Sequence, residues 1–435
     1  MRWRLSTDGG SRPRATRHFY FSPVPTSNPF SVLARHRNFR IFWIGQTLSL
    51  IGTWMQSMAQ GWLALELTNN AFLVGLVAAA GSLPVVLFSM HAGVLADRFE
   101  RLRLVKICQT LLLVEATTLW WFTWTGHISI EALLIIATFA GTVSSVEIPS
   151  RQSLVVELAG RDDLPQAIAL NSSGFNLARI VGPALAALVI AKLSISWAFA
   201  LNALSYVAVL IGLFMVRLSP WRPSAQLIRP IDGIRESFAY MRDTPLVGAL
   251  MKLVLAYSVL GVPYLVLMPV YARDRLGLGA GGYGLLLACV GIGGLAGALA
   301  LAARSATQAG GRTLRASSLG YPVVLLVLAS VSTPWPAYIT LFFAGVFMIM
   351  NGALANAMLQ HNVPDVLRGR LMAAYSFVVV GLAQTLGAFL AGATARVFGV
   401  HWAIALGAAI MLIYALYAFR RPPLGALGTG AATPS

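Results

Sequence analysis

Residues 72–96 read FLVGLVAAAGSLPVVLFSMHAGVLA, a run without one Asp, Glu, Lys or Arg. A helix that crosses a bilayer needs about 20 mostly apolar residues, because lipid offers no partner to a backbone N–H or C=O. The run ends in Asp97-Arg98-Phe99-Glu100-Arg101-Leu102-Arg103, and a second apolar run, LVKICQTLLLVEATTLWWFTW at 104–124, follows at once. Two membrane-length runs joined by a short charged segment read as two crossings with a turn at the membrane surface.

The same reading extends in both directions. Apolar spans fall at 39–65, 130–155, 167–190 and 197–216, and beyond the polar stretch 217–244 at 246–270, 283–303, 316–331, 338–360, 371–397 and 402–419. The expected fold class is an all-α integral membrane protein of twelve transmembrane helices. The expected organisation is a basic cytoplasmic tail (1–37), a six-helix half (38–216), a cytoplasmic linker (217–244), a second six-helix half (245–419) and a short cytoplasmic tail (420–435). The first 30 residues are basic and rich in Ser, Thr and Pro with no apolar run behind them, so no cleavable signal peptide is expected.

Composition agrees. Of 435 residues 57% are hydrophobic and 11% charged, against about a quarter charged in soluble domains. The net charge of +17 could suit nucleic acid, but its placement argues against that partner. With the N-terminus inside, the Lys and Arg fall in cytoplasmic segments except Lys192, Arg273, Arg275 and Arg396 outside and Arg179 and Lys252 within spans. That asymmetry orients a membrane protein and places both termini in the cytoplasm. Cys108 and Cys289 lie in spans of opposite halves and form no disulfide or metal-ligand pattern. The six histidines make no His-Glu-x-x-His motif and no phosphate-binding loop occurs, so neither an enzyme nor a bound cofactor or metal is expected.

An internal repeat underlies the halves. Asp162-Asp163-Leu164-Pro165 leads through Ala169 and Ser172 to Gly182, and Val363-Pro364-Asp365 with Arg368-Gly369-Arg370 leads through Ala373 and Ser376 to Gly387, an offset of about 204 residues. Parallel six-helix repeats are a recurrent plan of secondary transporters. Glycines cluster in spans two, five, eight and eleven, where small residues let helices approach closely as static interfaces or as sliding surfaces.

Gly93-Val94-Leu95-Ala96-Asp97-Arg98 followed by Arg101 resembles the signature loop of the major facilitator superfamily, with Glu100 in place of its Gly and Leu102 in place of a basic residue. Asn38-Phe39-Arg40, Gly45-Gln46, Pro149-Ser150-Arg151, Phe175-Asn176-Leu177-Ala178-Arg179 and Gly182-Pro183 resemble the branch containing the bacterial enterobactin exporter, the transmembrane secretion effector type. Gly174, Gly182 and Pro183 are similar to the superfamily's antiporter motif in helix five, with Ala186 and Ala187 where its closing glycines stand. The resemblance implies a twelve-helix, monomeric, alternating-access exporter of the plasma (inner) membrane, driven by protons. It implies a conformational latch at Gly93, Asp97, Arg98 and Arg101, which would close against residues 370–374. It also implies a cavity lined by helices one, four, seven and ten.

Ionisable groups inside spans are costly and therefore candidates for function. Glu147 and Arg151 are spaced i,i+4 with the acid first, the favourable order for a helical ion pair, around Pro149. Glu147 is the first proton-coupling candidate, and a local salt bridge is the other reading. Glu115 in span three is the second coupling candidate. Arg179 in span five is a buried charge at a similar depth, which a direct pair with Glu115, backbone carbonyls or a ligand would satisfy. Polar and aromatic candidates for the substrate cavity are Gln56, Gln60, Tyr257, Tyr264, Asn351 and Asn356, each of which also suits interhelical hydrogen bonding. The expected partner is a small apolar or aromatic solute, a drug-like compound or a siderophore. An importer, a uniporter and a non-transporting sensor on the same fold are the alternatives.

Overall fold

A helix that is apolar all round is stable only where lipid or other helices cover every side, and the spans found in the sequence fold in that way. The computed structural model describes residues 30–160, 162–218, 240–303 and 310–429, and within them the side chains of all but 89–98, 365–366, 368–370, 373, 380 and 428–429. Twelve long helical rods follow one another. The first half comprises α1 (Arg37–Thr68), α2 (Ala71–Arg98), α3 (Arg101–Trp124), α4 (Ile130–Ala159), α5 (Leu164–Lys192) and α6 (Ile195–Met215). The second comprises α7 (Pro245–Arg275), α8 (Ala280–Ala302), α9 (Gly310–Ser330), α10 (Pro334–His361), α11 (365–398) and α12 (Val400–Arg420). Short helices Ser31–Arg35 and Leu424–Thr429 flank them. No strand occurs among the described residues.

Ten of these helices are long and apolar enough to cross a membrane; α1 and α3 are not among the ten. Their sequences explain the difference. Helix α1 carries Gln46, Gln56 and Gln60, and α3 carries Lys106, Gln109 and Glu115. Gln46, Gln56, Gln109 and Glu115 are buried against neighbouring helices rather than turned to the surface. The bundle's outer surface is apolar, with Phe214 69% and Ile135 70% exposed, which is a surface for lipid rather than water. Asn69 ends α1 in the left-handed region, φ 51°, where Asn is among the few residues at ease. Ser129 caps α4 by accepting the Ala132 amide at 3.2 Å.

The halves repeat each other's packing. Helix α2 lies against α4 as α8 lies against α10, and α3 against α6 as α9 against α12. The two halves meet along α2–α11 and α5–α8. The repeat offset is visible in side-chain detail. Gly141 of α4 and Gly345 of α10 each face a backbone carbonyl of the neighbouring helix, that of Gly81 and that of Val290, so closely that any Cβ would collide.

Helices α7 and α11 depart from α-geometry. Helix α7 passes from α-helix through the π-turns of Tyr257–Gly261 and the 3-10 turn of Val262–Leu265 to a second π-segment, Tyr271–Arg275. Helix α11 carries a π-segment over Phe377–Gly387 between its α-helical ends. The two irregular stretches pack on one another. The linker expected at 217–244 and the tail at 1–37 lie for the most part outside the described residues, as do residues 430–435.

Candidate functional site

A cavity of about 420 Å³ lies between the halves. Its wall takes Trp54, Gln56, Ser57 and Gln60 from α1, Val77 and Ser82 from α2, Ser144 from α4, Tyr283 from α8, Met348 from α10 and Gln384 from α11. Two lining residues are charged: Glu115 of α3 and Arg179 of α5. The helices that bound it include two, five, eight and eleven as well as the expected one, four, seven and ten. Sequence reasoning missed Trp54, Ser144, Tyr283 and Gln384. The glycine clusters in spans two and eight were the available signal, since they mark where the halves approach.

Glu115 is 3% exposed and is held by an amide chain. Gln56 donates through Nε2 to Glu115 Oε1 at 3.0 Å and Oε2 at 3.1 Å. Asn202 of α6 donates to Gln56 Oε1 at 2.7 Å, and Ser205 donates to Asn202 Oδ1 at 3.1 Å. Three helices, α3, α1 and α6, are thus joined through one carboxyl group on the cavity wall. Glu115 takes no arginine or lysine among the described residues. Arg179 forms no ion pair with it, and the Nε of Arg179 is buried with no hydrogen-bond partner.

Glu147 lies elsewhere. Arg151 donates through Nε to Glu147 Oε1 at 2.9 Å, and Gln109 donates to the same oxygen at 3.1 Å. The i,i+4 bridge forms with Glu147 buried and Arg151 partly so, and the pair is not among the cavity-lining residues. The remaining cavity candidates divide. Gln56 and Gln60 line the cavity. Tyr257 donates to the Ser318 carbonyl, and Asn351 donates to Ser318 Oγ at 2.6 Å, so both tie α7 and α10 to α9. Asn356 accepts from Gln360 at 2.8 Å one turn away. Tyr264 is buried, its ring edge-on to that of Tyr321 at 6.5 Å.

Gly174 and Gly182 pack α5 onto α1, where a Cβ would meet Thr47 and Trp54, and Pro183 lines the cavity. Of the residues expected to form a latch, Gly93, Asp97 and Arg98 lie at the end of α2, with side chains outside those described. Arg101 pairs with Glu157 of α4.

One face of the bundle is shut. Beside the ends opposite the termini, Trp62 stacks on Tyr283 at 5.9 Å, Phe72 meets Phe389 edge-on at 5.5 Å, and Arg396 lies 5.9 Å from the Phe72 ring centre. Arg273 of α7 donates to Asn69 at the end of α1. The described hydrogen bonds and ring contacts between halves all lie between this face and mid-depth, where Thr385 and Ser82 are 3.1 Å apart.

The sequence model of the transmembrane secretion effector family matches residues 27–431. The chain is 23% identical to the enterobactin exporter EntS of Shigella flexneri over 90% of this chain and 96% of that one. It is 26% identical to the multidrug efflux pump Tap of Mycolicibacterium fortuitum over 80% and 87%. It is 27% identical to the staphyloferrin A transporter of Staphylococcus aureus over 60% of this chain and 66% of the relative, about two thirds of that protein's length. In fold it is similar to a bacterial homolog of the human lysosomal transporter Spinster in an inward-facing, occupied conformation, with TM-score 0.71 and 12% identity over 94% and 100% of the two chains. It is also similar to a D-xylose–proton symporter, with TM-score 0.69 and 16% identity over 90% and 99%. The chain belongs to the transmembrane secretion effector family of the major facilitator superfamily, and is a multi-pass membrane transporter rather than an enzyme.

Proposed function

We propose that this protein exports a small, largely apolar or aromatic solute, a drug-like compound or a siderophore, across the inner membrane in exchange for protons. The observation that carries the reading is a cavity between two repeated halves, shut at one face, with a buried carboxyl group on its wall. Relatives named as an enterobactin exporter and a multidrug efflux pump support the direction and the kind of solute. In this reading both termini face the cytoplasm, the shut face is the outer one, and the protein works as a monomer.

Glu115 is the proposed coupling group in preference to Glu147. A coupling carboxyl must exchange its proton with the cavity, and Glu115 borders the cavity while Glu147 is engaged by Arg151 and Gln109 away from it. Protonation turns one acceptor oxygen of Glu115 into a donor. Gln56 Nε2 then loses one of its two acceptors, and the tie between α3 and α1 loosens. A proton is in this way converted into a change of packing between helices, which biases a two-state equilibrium without touching the solute. Gly93, Asp97, Arg98 and Arg101 are the proposed latch for the face on the side of the termini.

The test is uptake of tritiated neutral, anionic and cationic aromatic solutes into inverted vesicles with an acidic interior. Accumulation of at least one solute, abolished by a protonophore and absent from vesicles lacking the protein, is expected. Movement of none of them, or movement indifferent to the gradient, would refute the proposal.

A further inference from the structure

The cavity holds a cation that no described residue neutralises. Arg179 sits mid-way along α5, lines the cavity, and has a buried Nε with no partner. A guanidinium carries five N–H donors in a planar fork, and a charge at membrane depth is costly unless paired. The cavity's acid does not pair with it, since Glu115 is engaged by Gln56 and forms no ion pair.

The protein makes room for this group. A Cβ at Gly294 of α8 would stand 2.7 Å from Arg179 Nη2, so glycine there lets the guanidinium reach from the first half to the backbone of the second. Tyr264 of α7, beside the cavity-lining Leu265 and Val266, is buried and lies within electrostatic reach of Arg179. A guanidinium fork left without a protein partner matches a compact, planar anion. Guanidinium and carboxylate pair through parallel hydrogen bonds, which a neutral group cannot reproduce. Apolar side chains, Trp54, Met58, Leu287 and Val290 among them, line the wall beside its polar ones.

We propose that Arg179 is the anion receptor of the cavity, and that the transported solute carries a carboxylate on an apolar or aromatic body. This rests on the transporter reading above for its biological meaning, but binding can be measured without transport. The probes are tritiated 2-naphthoate and its neutral isostere 2-naphthamide, titrated onto the purified protein in nanodiscs with empty nanodiscs subtracted. The wild type is expected to bind the carboxylate about tenfold or more tightly, the range of a charged hydrogen bond. Arg179→Gln should bring the two affinities together, and Arg179→Lys, which keeps the charge but loses the fork, should retain a reduced preference. Equal wild-type affinities, binding of neither probe, or a preference that survives Arg179→Gln would overturn the assignment. The wild-type comparison stands even where a variant does not fold. A preference that depends on Arg179 in a protein that moves none of the panel of solutes in energised vesicles would support the anion site while refuting the transport reading.

Discussion

Glu147 and Glu115 show what a residue pattern does and does not reveal. The Glu147–Arg151 bridge was legible because both partners sit on one helix, where a four-residue spacing fixes their proximity. The Gln56 partner of Glu115 was not legible, because it lies on another helix and the sequence carries no interhelical distance. The same lack left Arg179 open to Glu115, to backbone carbonyls or to a ligand, and among the described residues it takes neither of the first two. The difference in surroundings separates the two acids in experiment. Glu147→Ala leaves the partly buried Arg151 guanidinium without its carboxylate, and the loss approaches about 3 kcal/mol, the low end for breaking a buried pair. A clear fall in the thermal unfolding midpoint of the detergent-solubilised protein is expected, with gradient-driven transport per folded molecule preserved. Loss of transport without loss of stability would return the coupling role to Glu147.

At the scale of elements, the spans were legible because lipid imposes one requirement on every crossing segment, an apolar run that satisfies its own backbone. Helices α1 and α3 dilute that signal with buried amides and a carboxyl group, since the neighbours they meet are partly polar. The π-segments of α7 and α11 left no mark in hydropathy, because a wider turn changes the hydrogen-bond register and not the composition. Glycine was a better guide to contact than to motion. Gly141 and Gly345, one repeat offset apart, each bring a carbonyl of the next helix to a distance that no side chain tolerates. Gly141→Ala and Gly345→Ala are each expected to cost about 1–3 kcal/mol, the range for overpacking, through the α2–α4 and α8–α10 contacts. Matching falls in thermal midpoint for the two variants would show that the halves use equivalent joints, and a midpoint unchanged in either would show that its helices separate freely.

For the whole molecule, the repeat and the orientation rest on features spread over the chain, so weak local similarity still pointed to two halves. The closed face could not be read in advance, because it depends on which helices of opposite halves touch. Its contacts, Asn69 with Arg273 and Trp62 with Tyr283, must part if the solute is to leave there. In a protein with Cys108 and Cys289 replaced by serine, bridging cysteines at Asn69 and Arg273 with a reducible bifunctional reagent should stop transport, and a reductant should restore it. Transport undiminished by the bridge would show that this face does not open. The most direct measurement of the central claim is made on Glu115→Gln, which mimics the protonated carboxyl, in inverted vesicles loaded with the solute found in the uptake panel. Gradient-driven accumulation is expected to be lost while solute exchange at equal concentrations continues, since the cavity and its alternation remain and only the proton site is gone; accumulation at the wild-type level would contradict a coupling role for Glu115.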